Sequence, residues 1–417
     1  MRHLRWIVAS SWAPWALLAL AVLAQVGATL AGADPYKMID LSVYIDSVGW
    51  AFDGSLYDAT SNSISGSGKP VNLPFTYPPF SAVLFTPLAA LNLTVARIAW
   101  QLASLAALAL IIYFTLHLMG RAGKDAAKPV AHLRGVLITA TACASWLEPV
   151  RTTFNYGQIN VFLAALLLAG AVTAKQWWAG SSVGIAAGIK LVPAITGLYY
   201  LMQRRWLAAL WCVLGFASTV GFAAIFLPSE TKRYFTELIF DPARTGPIFG
   251  AINQSWRGAL ARLAGQDDLP TGWIVAVVST AALAIWALMR ALKAQDRTAA
   301  FLVVQFLGLL VSPISWSHHY VWIVPLLMWC FFGPHSRKRA VRILAMSWLI
   351  AAYSYVVSIL VAQPNNYEIS SRPGWASGLA LIYVVLGMAT IGVLGWVNRG
   401  VASAAAPSEA GAAARTR

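Results

Sequence analysis

The sequence predicts an all-α polytopic membrane protein, and three observations lead to that prediction. Of its 417 residues, 59% are hydrophobic and only 11% are charged, which is too apolar for a soluble globular domain. Long apolar runs recur along nearly the whole chain, and about 20 such residues are enough for a helix to cross a bilayer. The basic residues also gather between alternate runs, as they do in the cytoplasmic loops of membrane proteins.

The apolar runs predict about ten full spans and one helical hairpin. The run 79–119 is too long for one straight span, so we expect a bend near Asn92. The run 178–202 carries Lys190 and Pro193 at its middle, and each half is too short to cross, so we predict a hairpin that enters and returns. The first run lacks a clear cleavage site, which favours an uncleaved helix over a signal peptide. The runs cover residues 11–32, 79–119, 135–150, 158–174, 178–202, 206–227, 273–292, 299–315, 319–333, 341–362 and 375–397.

The distribution of charge predicts the orientation. With both termini in the cytoplasm, the cytoplasmic segments hold 19 of the 30 Lys and Arg residues but only three of the 15 acidic ones. The net charge of +15 therefore reflects topology and contact with anionic membrane lipids, and it needs no nucleic-acid partner. The Ala-rich tail 401–417 is predicted to be disordered. The polar segments that this threading places on the external face are 34–78, 148–158, 228–272, 312–319 and 363–374.

The first external loop contains a candidate catalytic carboxylate. Asp40 lies at the start of a predicted amphipathic helix that also carries Tyr44. Two roles for Asp40 stay open at this point: a cap for free backbone N–H groups, or a general base that faces a cleft at the membrane surface. Further along the loop, Leu73–Phe80 combines prolines with aromatic rings, among them Tyr77. Such rings suit a sugar or an isoprenoid chain, or they serve only as an interfacial anchor.

Two further segments combine polar groups with apolar surroundings. Gln158 and Asn160 lie at the start of a predicted span, where their amides can satisfy backbone groups or bind sugar hydroxyls. Lys190 lies in the middle of the apolar hairpin, where an ammonium group needs an anion or several acceptors. Either a carboxylate or a phosphate meets that need.

The long external loop 228–272 offers candidate ligands for a phosphorylated sugar. Arg244 and Arg257 can each hold a phosphate with two parallel hydrogen bonds. The string Asn253-Gln254-Ser255-Trp256-Arg257 places two amides and an indole within five residues. We expect Asn253, Gln254 and Trp256 to bind a sugar by its edge and its face, and the alternative is a polar loop folded on itself.

The segment Ser312–Tyr320 breaks an apolar region with a Ser-Pro pair, Trp316 and the adjacent histidines His318 and His319. We expect Trp316 to contact the sugar. The histidines have no metal-ligand spacing around them, so no metal site is predicted. A hydrogen bond to phosphate, or orientation of Asp40, fits an imidazole here better. Which of the two histidines acts is left open.

These motifs occur in the same order in the polyprenol-phosphate-mannose-dependent α-(1→2)-mannosyltransferases of mycobacterial type, which the chain resembles from about residue 34 to 397. The resemblance implies a C-type glycosyltransferase fold and identifies Asp40 as the catalytic base. It implies a donor in which polyprenyl phosphate carries β-mannose, a phosphatidylinositol tetramannoside as acceptor, and an inverting transfer. The Asn-Gln-Ser-Trp-Arg string favours enzymes that add the fifth mannose over a sister enzyme that branches lipomannan.

On this basis we expect one transmembrane glycosyltransferase domain over residues 1–400, located in the plasma membrane. The loops 33–78, 228–272 and 363–374 would form its external, periplasmic active-site face. No cofactor is expected, and the partners are the two lipid-linked substrates and membrane lipids; the oligomeric state is left open. An arabinofuranosyltransferase with a polyprenyl phosphosugar donor is the alternative enzyme. A transporter of lipid-linked sugars is the alternative of another class, although the two halves show no internal repeat.

Overall fold

The computed structural model describes residues 2–31, 38–64, 70–124, 126–266, 269–363 and 374–399. Within these ranges the chain is mostly α-helical, with one antiparallel sheet of two strands. The helical class predicted from the apolar runs is therefore confirmed. The predicted disordered tail 401–417 and nearly all of the predicted loop 363–374 lie outside the described residues.

The described residues form 21 α-helices, two strands and four 3₁₀ helices. The helices of the first half are α1 (Arg2–Ala9), α2 (Ala13–Leu30), α3 (Ile39–Asp53), α4 (Pro79–Leu84), α5 (Thr86–Ala89), α6 (Leu93–Leu118), α7 (Leu133–Ala144), α8 (Glu148–Tyr156), α9 (Asn160–Val172), α10 (Gln176–Ile189) and α11 (Gly197–Met202). Those of the second half are α12 (Trp206–Phe226), α13 (Pro228–Thr236), α14 (Trp256–Ala264), α15 (Pro270–Lys293), α16 (Arg297–Val311), α17 (Ile323–Phe332), α18 (Arg339–Tyr353), α19 (Val356–Val361), α20 (Gly374–Leu379) and α21 (Ile382–Val397). The strands are β1 (Thr60–Ile64) and β2 (Pro70–Pro74), and 3₁₀ helices lie at Val192–Thr196, Leu238–Phe240, Pro242–Thr245 and Ser317–Trp322.

Several helical segments have the length and composition of membrane spans. By these two criteria the described residues contain five candidates, or six if the bent pair α8–α9, with 117° between its helices, counts as one span. Shorter apolar helices such as α7 and α16 accompany them. The chain is thus a multi-pass membrane protein, and the predicted number of ten spans stays a prediction. The five candidates are Leu93–Leu118, Trp206–Phe226, Pro270–Lys293, Arg339–Val361 and Gly374–Val397.

Helix α16 lies at the centre of the packed helices. Its residues from Thr298 to Leu310 are all buried, as expected for a helix that is apolar on every side. By contrast, α12 and α15 bury only about a fifth of their apolar windows (17% and 22%). The difference places α16 inside the protein and gives α12 and α15 broad apolar surfaces that suit contact with lipid.

The predicted break in the run 79–119 is present. The chain forms α4 and α5 before α6 begins, and the side chain of Asn92 caps α6 by accepting a hydrogen bond of 2.9 Å from the backbone N–H of Val95. Asparagine is a favoured residue at this position because its oxygen satisfies a free N–H group.

The predicted hairpin around Lys190 is also present. Helix α10 ends at Lys190, whose backbone is extended, and the chain then turns back through the 3₁₀ helix and α11. On its return, the guanidinium of Arg205 donates to the side-chain oxygen of Gln176 at 3.1 Å, so both ends of the hairpin lie side by side. Lys190 therefore occupies the tip.

Small residues hold the first arm of the hairpin against α12. Gly180, Gly184 and Gly188 follow each other at intervals of four, and a Cβ atom on any of them would overlap atoms of α12. Glycines at this spacing let two helix backbones approach closely. The position of Lys190 thus depends on the contact between α10 and α12.

The first loop carries structure that the sequence pattern did not predict. Strands β1 and β2 pair antiparallel, with Thr60 opposite Pro74 and Ile64 opposite Pro70. The residues Thr60–Ile64 lack the alternation of apolar and polar side chains that marks a strand, so this sheet was missed. Helix α3 is present where an amphipathic helix was predicted and buries Leu41, Tyr44 and Val48; its external location stays a prediction.

The substitution Gly184→Ala is expected to destabilise the protein, because the added methyl group meets backbone atoms of Phe216 and Cys212 on α12. We expect a loss of roughly 1–3 kcal/mol in the free energy of unfolding, measured as a lower thermal unfolding midpoint in detergent. Gly221→Ala on α12 is the matched control, since nothing lies within 4 Å of its added atom. Equal midpoints for the two variants would contradict the close contact.

Candidate active site

A cavity of about 460 Å³ lies between the first loop, the tip of the hairpin and the 3₁₀ helix Ser317–Trp322. Its wall is formed mainly by apolar and aromatic side chains, with a few polar groups that converge on one side, as is usual for a ligand site. The residues singled out from the sequence that line it are Asp40, Tyr44, Tyr77, Gln158, Lys190, Arg244, Trp316 and His319. The structure thus brings together residues from five separate parts of the chain.

Asp40 faces this cavity from the first turn of α3. The capping position of the helix belongs to Met38, two residues earlier, so Asp40 is not the N-cap. Burial raises the pKa of the Asp40 carboxyl to about 6, against the opposing effects of a hydrogen bond from Gln158 and the positive charge of Lys190. A carboxyl group with such a pKa is suited to accept a proton near neutral pH.

The ammonium group of Lys190 is surrounded by acceptors. Its Nζ atom lies 3.1 Å from the hydroxyl of Tyr77 and 3.0 Å from Oδ1 of Asn160. It also lies 3.1 Å from Nε2 of His319 and 3.5 Å from Oε1 of Gln158. These contacts meet the need for several acceptors that the sequence indicated, and a carboxylate partner is not among them. Because an ammonium group only donates, Nε2 of His319 is the acceptor in this pair.

The orientation of the Gln158 amide follows from its neighbours. Its oxygen accepts hydrogen bonds from the hydroxyls of Tyr44 at 3.1 Å and Tyr77 at 2.9 Å, and the two hydroxyls lie 3.1 Å apart. Since the oxygen is held by these donors, the amide nitrogen is left to donate to Asp40. Gln158 therefore connects the carboxylate of the cavity to its cation.

The two histidines have different surroundings. His319 lines the cavity, and His318 is only 2% exposed and does not. The backbone carbonyl of His318 accepts from Thr153 at 3.0 Å and from Asn160 at 2.9 Å. The question that the sequence left open thus has a geometric answer: His319 points into the cavity, while His318 anchors the segment through its backbone. Asn160 contacts both segments, because its nitrogen donates to the carbonyl of His318 and its oxygen accepts from Lys190.

The string Asn253–Arg257 is not part of the cavity wall. The side-chain oxygen of Asn253 accepts from the backbone N–H of Ser315 at 2.9 Å, and the backbone N–H of Gln254 donates to the carbonyl of Ser315 at 2.7 Å. The indole of Trp256 donates to Thr280 at 2.9 Å, and Arg257 lies over the ring of Trp273. The structure therefore does not bring Asn253, Gln254, Trp256 or Arg257 to the cavity. Their contacts join the loop to neighbouring segments, and those of Asn253 and Gln254 hold the backbone that carries Trp316. Sugar binding by this string stays a prediction.

Arg244 is the arginine that reaches the cavity. It donates to the carbonyl of Phe75 at 3.1 Å, and its guanidinium lies 5.3 Å from the centre of the Tyr57 ring. Tyr234, which the sequence reasoning missed, stacks on Tyr57 and completes this part of the wall. Tyr234 could not be singled out from the sequence, because a single tyrosine in a short polar helix matches no motif.

Asp58 belongs to a surface ion pair. Its carboxylate oxygens accept from both terminal nitrogens of Arg233 at 2.7 Å, and this pairing lowers the pKa of Asp58. Asp58 is exposed and lies outside the cavity wall. In the described part of the chain, no three His, Cys, Asp or Glu side chains are placed to hold a metal ion.

A buried carboxylate and a hydrogen-bonded cation face one cavity among apolar helices, and this arrangement suits an enzyme that moves a proton and holds an anion. Comparison with known proteins gives the family: the chain belongs to glycosyltransferase family 87, whose model matches residues 75–313. The enzyme class expected from the motifs is therefore confirmed.

Curated relatives match nearly the whole chain. It is 39% identical over 388 residues to the polyprenol-phosphate-mannose-dependent α-(1→2)-phosphatidylinositol pentamannoside mannosyltransferase of Mycolicibacterium smegmatis, covering 91% of this chain and 90% of that protein. It is 40% identical over 387 residues to the protein of the same name from Mycobacterium tuberculosis, covering 91% and 86%. A phosphatidylinositol mannoside mannosyltransferase of M. tuberculosis is 33% identical over 390 residues, covering 91% and 89%. No solved structure matches the chain significantly.

Replacing Lys190 with methionine is expected to raise the pKa of Asp40 above about 6, because the positive charge of Lys190 lowers it. The protonation of Asp40 can be followed by infrared difference spectroscopy, using Asp40→Asn to assign its carboxyl band. Lys175→Met removes an exposed charge at the other end of the hairpin and should leave the titration midpoint of the Asp40 carboxyl band unchanged. An unchanged titration midpoint of this band in Lys190→Met would show that Asp40 and Lys190 do not interact.

Proposed function

We propose that the protein transfers a mannosyl group from polyprenyl-phosphate-mannose to a phosphatidylinositol mannoside, converting a tetramannoside into a pentamannoside at the external face of the plasma membrane. The observation that carries the proposal is that Asp40 and Lys190 face one cavity and that Gln158 contacts both of them. The names of the relatives, which use a polyprenol-phosphate-mannose donor, support the donor and the class of acceptor.

In the proposed reaction, Asp40 acts as the general base. Its carboxylate accepts the proton of the 2-hydroxyl group of the acceptor mannose while that oxygen attacks the anomeric carbon of the donor. The new C–O bond forms on the face opposite the leaving group, so a β-linked donor gives an α-(1→2) product by inversion. Asp241, the other carboxylate of the cavity wall, is exposed and has no part in this step.

The leaving group in this reaction is polyprenyl phosphate. The bond between the anomeric carbon and the phosphate oxygen breaks, and the oxygen keeps the electron pair, so the phosphate gains negative charge. Charge that develops in a transition state is best stabilised by donors already in place. We assign this role to Lys190 and His319, with Arg244 as a further cation at the wall. Because Nε2 accepts from Lys190, the neutral imidazole of His319 carries its hydrogen on Nδ1, and this N–H group is the donor in the proposed reaction.

The aromatic wall gives the sugars of both substrates their binding surface. Tyr44, Tyr77 and Trp316 present rings to the cavity, and the hydroxyls of the two tyrosines are fixed by Gln158. Flat apolar faces with a polar edge suit pyranose rings, which carry C–H groups on their faces and hydroxyls at their rims. No cofactor takes part in the proposed reaction.

The donor and acceptor can be tested directly with purified protein in lipid. We expect labelled product from polyprenyl-phosphate-mannose and the tetramannoside acceptor, and its terminal mannose should be released by an α-(1→2)-specific mannosidase. Transfer from polyprenyl-phosphate-arabinose instead would support the arabinofuranosyltransferase alternative. Movement of the donor across a bilayer without a new glycosidic bond would support a transporter.

Asp40→Asn is expected to lower the rate of transfer by a factor of about 10²–10⁴ or more, because the amide cannot accept the proton. Asp58→Asn removes a carboxylate from the same loop but outside the cavity, and it should keep near-normal transfer. Both rates are measured per folded protein, with folding checked by the thermal unfolding midpoint. Near-normal transfer by Asp40→Asn would rule out its role as base.

The rate should rise as the pH increases from 5 through about 6, the pKa of Asp40. The rate rises with pH because only the ionised carboxylate accepts a proton. At pH 5 only about a tenth of the carboxyl groups with that pKa are ionised. The measurement is kcat/KM against pH, which reports groups of the free enzyme. A profile that falls as the pH rises from 5 to 7 would contradict the assignment.

A further inference from the structure

Glu148 is a buried carboxylate to which the proposed reaction gives no role. It is fully buried at the start of α8 and does not line the cavity. Removing a carboxylate from water is costly unless hydrogen bonds replace its hydration. The hydrogen bonds of Glu148 therefore indicate which elements its carboxylate holds in place.

Hydroxyl groups from three other elements and from α8 itself converge on this carboxylate. Its Oε1 atom accepts from Ser317 at 2.9 Å and from Ser358 on α19 at 2.8 Å. Thr152 on α8 donates to the same oxygen at 3.1 Å, and Tyr383 on α21 donates to Oε2 at 2.8 Å. A carboxylate has about four acceptor sites and no donor; here three hydroxyls donate to Oε1 and one donates to Oε2.

One of these four hydrogen bonds leads to the active site. Ser317 begins the 3₁₀ helix that carries His319, two residues further on. The backbone N–H of Ser317 donates to the carbonyl of Ile252 at 2.8 Å, so its hydroxyl and its backbone are both held. Thr153, from the same helix as Glu148, binds the carbonyl of His318. Helix α8 thus fixes the two residues that precede His319.

The distance between His319 and Lys190 depends on this anchoring. Nε2 of His319 lies 3.1 Å from Nζ of Lys190, and the two residues come from different segments of the chain. A displacement of about 1 Å in a catalytic constellation can reduce a rate by about 10²-fold. Loss of the Glu148–Ser317 bond leaves the start of the 3₁₀ helix held only through its backbone, and it removes no group from the cavity wall.

We infer that Glu148 is a positioning residue that acts through Ser317 to hold His319 against Lys190. The inference rests on the proposed function, in which these two groups stabilise the leaving phosphate. It assigns the hydrogen bonds from Ser358 and Tyr383 a second task, which is to keep α19 and α21 packed against the same carboxylate. Glu148 itself touches neither substrate.

The test is steady-state kinetics, per folded protein, on Glu148→Ala, Glu148→Gln and Ser317→Ala. We expect Glu148→Ala to lower kcat by about 10²-fold while the donor KM changes little, because the defect concerns the leaving group in the transition state. Glu148→Gln should restore most of kcat, since its oxygen still accepts from Ser317 and its nitrogen can donate to Tyr383. Ser317→Ala, which leaves the other three hydroxyls in place, should lower kcat by itself.

The double variant Glu148→Ala/Ser317→Ala separates positioning from general support of the fold. If Glu148 acts through Ser317, the double variant has the kcat of Glu148→Ala alone, because coupled residues are not additive. Ser358→Ala removes another donor to the same oxygen and should leave kcat near that of the wild type. Asp296→Ala, which removes a buried carboxylate bound by Trp329, controls for destabilisation alone.

Two results would overturn the inference. One is a Glu148→Ala protein with a lower unfolding midpoint but an unchanged kcat, as expected of a support for the fold. The other is independent effects of the two single substitutions, so that their factors multiply in the double variant. The wild-type reaction and Asp40→Asn, run with the same substrates, distinguish this failure from failure of the proposed function. Without wild-type product the proposed function itself fails.

Discussion

The burial of one ammonium group, that of Lys190, is the constraint on which the rest of the structure depends. A lysine that is 8% exposed at the tip of an apolar hairpin is tolerated only where acceptors surround it. The structure supplies acceptors from three separate segments, through Tyr77, Asn160 and His319. The glycines of α10 let its backbone lie close to α12, and the first loop and the 3₁₀ helix Ser317–Trp322 lie around the tip. The cavity is the space that these segments leave.

The same arrangement shows how a mostly apolar helical protein builds a polar site with few charged residues. Gln158 and Asn160 link the charged groups through neutral amides, and tyrosine hydroxyls complete the contacts. Neutral groups cost less to bury than charges do, provided that their hydrogen bonds are made. One carboxylate and one cation therefore suffice at the centre, and the reacting atoms meet a site whose donors are already oriented.

The sequence predicted the central residues because charges in apolar surroundings are rare and conspicuous. Lys190 was recognised for this reason, and Lys190-Leu191-Val192-Pro193 predicted the hairpin correctly. Asp40 was recognised by its place at the start of a predicted amphipathic helix and by the family resemblance. The amides of Asn253 and Gln254 were expected to bind a sugar, whereas the structure shows them bound to backbone groups. Residue type alone does not reveal which of the two an amide binds. The choice between His318 and His319 required coordinates, because adjacent residues in a 3₁₀ helix point in different directions. The sheet β1–β2 lacked a pattern that could predict it.

Asn160 shows how narrow the choice of residue becomes in such a site. Its oxygen accepts from Lys190 while its nitrogen donates to the carbonyl of His318, so one short side chain must offer both functions in opposite directions. Aspartate has no donor, and serine has a single oxygen that cannot span both partners. Each of these two replacements would therefore break one of the two contacts, and the direct link between the hairpin tip and the 3₁₀ helix Ser317–Trp322 through this side chain would be lost.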